Sequence, residues 1–125
     1  MSYELQRDPP CLEYQEVCRT WIRILKTLRE DNASLINRLA AALRCTSRRS
    51  FIEEAEEFQL TMLAREESMI LLRHEIGEQL NWLEQQPEGV AAPHAFSVLE
   101  NDVKGMMAGH EKVKVAFLLF IAKEN

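Results

Sequence analysis

Three histidines, three cysteines and a cluster of four glutamates are the residues of this 125-residue chain whose chemistry could exceed packing. His74 and Glu78 stand four apart, which puts both side chains on one helix face. A di-iron bundle of the ferritin type needs Glu-x-x-His motifs and carboxylates from several helices. None of the three histidines has a glutamate three residues before it. Haemerythrin-like bundles need several more histidines. By the phase of Met62, Leu72 and Ile76, His74 also points away from the core, so a solvated His–Glu pair is expected. A phosphotransfer bundle would show His-x-x-Lys-Gly, whereas "HEIGEQ" surrounds His74 with glutamates and no lysine.

The cluster "EEAEE", Glu53 to Glu57, falls at a helix start, where the helix dipole favours negative charge. Arg44, Arg48 and Arg49 lie just before it and neutralise part of it. Cys11 and Cys18 are seven apart, roughly 10 Å on one helix and beyond disulfide reach. With Cys45 they make an odd count without Cys-x-x-Cys spacing, so free thiols in a reducing compartment are expected. No nucleophile–base pair, phosphate-binding loop or dinucleotide fingerprint is present. Catalytic residues, metal ligands and cofactors are therefore not expected.

His110 is different, because it occupies a step where the pattern calls for an apolar residue. Asn32 does the same earlier in the chain, and Arg65 and Glu66 fill the corresponding gap between them. Loop-based registration puts all four within a turn or two of one another. A buried polar layer of Asn32, Arg65, Glu66 and His110 is the expectation. Such a layer fixes register and partner choice at some cost in stability. A small ligand or ion held by the same residues is the alternative.

Three long elements must position these residues. Trp21, Leu25, Leu28, Leu35, Leu39 and Ala42 follow a seven-residue repeat from about Leu12 to Arg44. After "CTSRRS", Ser50-Phe51-Ile52-Glu53 reads as a capping box. The apolar phase then runs from Phe51 through Met62, Met69 and Ile76 to Leu83. Pro87 and Pro93 bound a loop, and the last segment carries Phe96, Leu99, Val103, Met106, Val113, Phe117 and Phe120. Gly105 and Gly109 each cost about 1 kcal/mol in a helix. The apolar steps nevertheless continue through them at spacings of four and three, so one helix is expected. The predicted fold is all-α, an elongated up-down-up three-helix bundle with an N-terminal arm at 1–10 and a bundle domain at 11–125. A break at Gly105 to Gly109 would make it a four-helix bundle instead.

Composition limits the partners. The chain is 46% hydrophobic and 28% charged, with a net charge of −5, which predicts a globular protein that does not bind nucleic acid. No apolar run approaches the ~20 residues of a membrane span, and "MSYELQRDPP" lacks a signal peptide's apolar stretch. No membrane partner is expected, and the localisation predicted is cytoplasmic. "VAFLLFIA", from Val115 to Ala122, is apolar all round, so Leu118 and Leu119 project beyond the core stripe. Leu60 and Leu63 do so on the second helix. These four could form one exposed patch, covered by a second copy or another helical protein. Folding of the arm, Tyr3 to Cys11, over the patch is the alternative.

"NRL" at 37–39, "EEFQ" at 56–59, "LRHEI" at 72–76 and "PHAF" at 93–96 resemble features of small helical-bundle bacterial proteins without assigned function. That resemblance spans most of the chain; it implies the three-helix layout and brings no activity with it. The function expected is contact with other proteins, as a homo-oligomer, without enzymatic chemistry. The alternative is a metal- or ligand-binding sensor or enzyme built on the layer around His110.

Overall fold

The computed structural model describes residues 2–124, with side chains from 11 to 123. Three helices make up the regular structure of these residues: α1 Ser2–Arg44, α2 Arg49–Gln85 and α3 Phe96–Glu124. They run up, down and up, with α1 and α2 in the most extensive contact. This is the expected three-helix bundle. No helix among the described residues is long and apolar enough to cross a membrane.

The helix ends show where local signals were overruled. α1 starts at Ser2, ten residues before the predicted start, so the segment expected to be an arm continues the helix. Pro9 and Pro10 lie inside it. A proline's fixed φ of about −65° is compatible with helical backbone, and its missing amide costs a ladder bond. Folding of Tyr3 to Cys11 over the leucine patch concerns side chains largely outside the described residues.

At the second start, Arg48 rather than Ser50 is the N-cap, and its side chain caps nothing. The turn is set one step earlier, by the Arg48 amide donating to Thr46 Oγ1 at 3.1 Å. Ser50 therefore falls within the first helical turn, where it cannot serve as the predicted cap.

The connection from α2 to α3 is fastened to α2. Gln86 ends the helix in the left-handed region, φ 45°, with its amide bonded to the Trp82 carbonyl at 2.9 Å. Gly89 follows with φ 71°. Trp82 Nε1 donates to the Val90 carbonyl at 2.9 Å, and the His94 amide donates to Gln79 Oε1 at 3.1 Å. These bonds satisfy loop backbone that helices cannot, and they fix where α3 begins.

Helix α3 continues unbroken through Gly105 and Gly109. Two apolar clusters result. One gathers Cys18, Trp21, Leu25, Met69, Ile76, Leu99 and Val103 toward the α2–α3 loop. The other gathers Leu35, Leu39, Ala55, Met62, Phe117 and Phe120 toward the α1–α2 loop. Each is braced by aromatic pairs, Trp21 on Phe96 at 4.9 Å and Phe58 on Phe120 at 5.2 Å. The residues between the clusters are the polar ones.

Candidate functional site: a polar layer at mid-bundle

The helical register brings residues 29–32 of α1, 62–66 of α2 and 106–114 of α3 to one level. His110 is 3% exposed, and its Nε2 lies 2.6 Å from Asp31 Oδ2 on α1. An ionised carboxylate only accepts hydrogen bonds, so Nε2 carries the proton. Lys114, one turn further along α3, sits 3.1 Å from the same oxygen. The His110 hydrogen bond, with Lys114 behind it, holds the Asp31 carboxyl below its ordinary pKa.

Asn32, fully buried, donates Nδ2–H to the Met62 carbonyl at 2.9 Å. This bond to backbone ties α1 to α2 at a fixed register, since a slip of one residue would remove the acceptor. Glu66 pairs with Arg29 at 2.8 Å. Arg65 points to the other neighbour and donates Nη2–H to the Met106 carbonyl of α3 at 2.9 Å.

The four predicted residues thus share a level but do not bond to one another. Each reaches a different partner on a neighbouring helix. Asp31, Arg29 and Lys114 were not expected there. Asp31 lies just off the apolar stripe, and the one signal for Lys114 was its spacing of four after His110.

Three buried polar atoms have no partner among the described residues: Asn32 Oδ1, His110 Nδ1 and Arg65 Nε. Most buried polar groups in proteins are paired, so the layer contains more hydrogen-bonding capacity than the three helices satisfy.

Gly109 belongs to this layer too. A Cβ there would fall 2.7 Å from Arg65 Nη2 and 2.8 Å from Nη1, so glycine is what lets the guanidinium lie across α3. At Gly105 a Cβ would meet nothing within 4 Å.

Elsewhere, Glu78 accepts from His94 Nε2 at 3.0 Å and lies 3.8 Å from His74 Nε2. The Glu78 carboxyl is lowered chiefly by the His94 bond. His74 is exposed, as expected from its phase, whereas His94 had not been placed at all. No group of three His, Cys, Asp or Glu side chains among the described residues is arranged to hold a metal ion. The cysteines are free, and burial pushes the Cys18 thiol up to about 11.

The four leucines expected to form a patch are distributed differently. Leu60 is 70% and Leu119 66% exposed, and Leu63 is exposed as well. Leu118 is half-buried against the second apolar cluster. Leu60 is two residues from both Phe58 and Met62, about 200° around the helix, and so faces out of the bundle. Leu119 instead lines a groove between α2 and α3 beside Phe58. Comparison with family models, curated proteins and solved structures finds no match for the chain.

Proposed function

We propose that this chain is a non-enzymatic helical-bundle protein that acts through protein–protein contact, pairing with a second copy across the outward face of α2. The observation that carries this is a second apolar stripe. Leu60, Leu63, Ile70 and Leu71 are all exposed, and at about 100° per residue they centre on the side away from the core stripe of Phe51, Met62, Met69 and Ile76, flanking the exposed Glu67. A helix that served one core would need one stripe. Contiguous exposed apolar surface on a protein of this size usually marks an interface.

An antiparallel pairing of two α2 helices suits the pattern. A twofold axis between residues 65 and 66 sets Leu60 of one copy against Leu71 of the other. Such a contact is isologous and closes without further copies. The inter-helix bonds of Asn32, Glu66 and His110 set the register of the helices that present this face.

Sedimentation equilibrium on the wild type, Leu60→Glu and Leu71→Glu tests it. A dimer is expected at tens of micromolar for the wild type, and monomer for both variants, because each copy would bury a carboxylate against leucine. A wild type that stays monomeric at that concentration ends the reading.

A further inference from the structure

Among the described residues, Arg65 is the arginine of the mid-bundle layer whose guanidinium has no anion. Arg19, Arg29 and Arg49 each hold a glutamate at 2.8–3.2 Å. Arg65 makes its bond to the neutral Met106 carbonyl, with Met106 Sδ 3.5 Å away. Among the described residues its Nη1 has no hydrogen-bond partner and its Nε is buried without one. Burial alone lowers its pKa, with no carboxylate opposing the shift. A partly desolvated cation without a counter-charge is unfavourable for the free protein, and it binds a carboxylate more strongly than a solvated cation does.

The guanidinium also stands at a cavity. A groove of 410 Å³ runs between α2 and α3 from Arg65 toward Glu57, within the size range of small-molecule sites. Phe58, Val113 and Ala116 form its apolar walls, and Lys112 adds a second positive charge to its lining. Gly109 seats the guanidinium at this end, because a Cβ there would lie 2.7 Å from Arg65 Nη2. Glu57 lies eight residues from Arg65 along α2, about 12 Å. The groove is therefore positive at one end, apolar in the middle and negative at the other.

We propose that this groove binds an amphiphilic monocarboxylate, its carboxylate on Arg65 and Lys112 and its apolar body against Phe58, Val113 and Ala116. The planar guanidinium offers a carboxylate two parallel N–H donors in the geometry that suits it. Glu57 selects against a second carboxylate at the far end of the ligand. The site lies on the inner seam of α2, away from the outward face, and so does not depend on self-association.

Decanoate is the probe, titrated below its micelle concentration at fixed ionic strength and followed by calorimetry and amide chemical shifts. One decanoate per chain is expected to bind, with shifts at Gly109 and Val113. Decanedioate and decyltrimethylammonium are expected to bind about tenfold more weakly or less. Arg65→Gln is expected to weaken decanoate about tenfold with helix content unchanged by circular dichroism. Glu57→Gln should narrow the gap between decanoate and decanedioate. Leu60→Glu, on the other face of α2, should leave the isotherm as it was. If Arg65→Gln does not fold, the exposed Lys112→Glu replaces it and must also weaken binding. The proposal is overturned by an absence of saturable decanoate binding, by equal binding of decyltrimethylammonium, or by undiminished affinity in the folded charge variant.

Discussion

His110 and Asp31 define the residue scale, because each is placed so that loss of one exposes the cost of the other. Asp31→Ala leaves a buried His110 N–H without its acceptor and is expected to destabilise by about 1–3 kcal/mol. His110→Leu removes the buried polar ring and leaves Asp31 paired with Lys114 at 3.1 Å. It should cost less than Asp31→Ala, since a hydrophobic replacement of a buried pair member fills the core. In the double variant the loss should be smaller than the sum, which urea denaturation of all four proteins measures.

The same pair predicts a pH dependence. Folding holds the Asp31 carboxyl below its ordinary value, so the charged form is favoured in the native state. Its contribution is present above an unfolded pKa of about 4 and is lost as pH falls through the lower folded value. The stability gap between wild type and Asp31→Asn should therefore be largest near neutrality and shrink below pH ~4. A gap that stays constant down to pH 2 would contradict the assignment. At this scale the polar steps at Asn32 and His110 were visible as interruptions of an apolar phase. Their partners were not, because Asp31 and Lys114 look like any solvated residue until α1 and α3 are placed side by side.

At the scale of the element, the two glycines of α3 separate cleanly. Gly105 is open to solvent on every side where a Cβ would project, so Gly105→Ala should stabilise by the difference in helix propensity, about 0.5–1 kcal/mol. Gly109→Ala receives the same backbone gain but forces the Arg65 guanidinium off the Met106 carbonyl. It is expected to gain less, or to lose stability, and the gain should return in the Arg65→Met background. Thermal unfolding of the four variants reads this directly. The continuity of α3 itself was legible from the alternating spacing of its apolar residues, which a break would have reset. The reason for glycine at 109 was not, since it lies in a side chain from another helix.

The whole molecule adds what no single helix shows. Two apolar clusters enclose a polar layer, and α2 presents leucines on both of its faces. If α2 is an interface, the melting temperature of the wild type should rise with protein concentration, as mass action requires. That of Leu60→Glu should not. A concentration-independent melting temperature in both would speak for a monomer.

Three helices, their antiparallel order and the burial of Asn32 and His110 were legible along the chain, because helical periodicity is a local property read at 3.6 residues per turn. The α2–α3 loop was legible too, through Pro87 and Pro93. Helix ends were less well determined: α1 passes through Pro9 and Pro10, and the α2 cap moved to Arg48, since tertiary placement outweighs a single capping signal. That Arg65 turns to α3 while Glu66 turns to α1, and that Leu60 faces out of the bundle while Leu119 lines the α2–α3 groove, emerges from the packing of the helices. Those outcomes depend on how far each helix is rotated and shifted against its neighbours. That rotation is set jointly by all the side chains between them, and no window of sequence contains it.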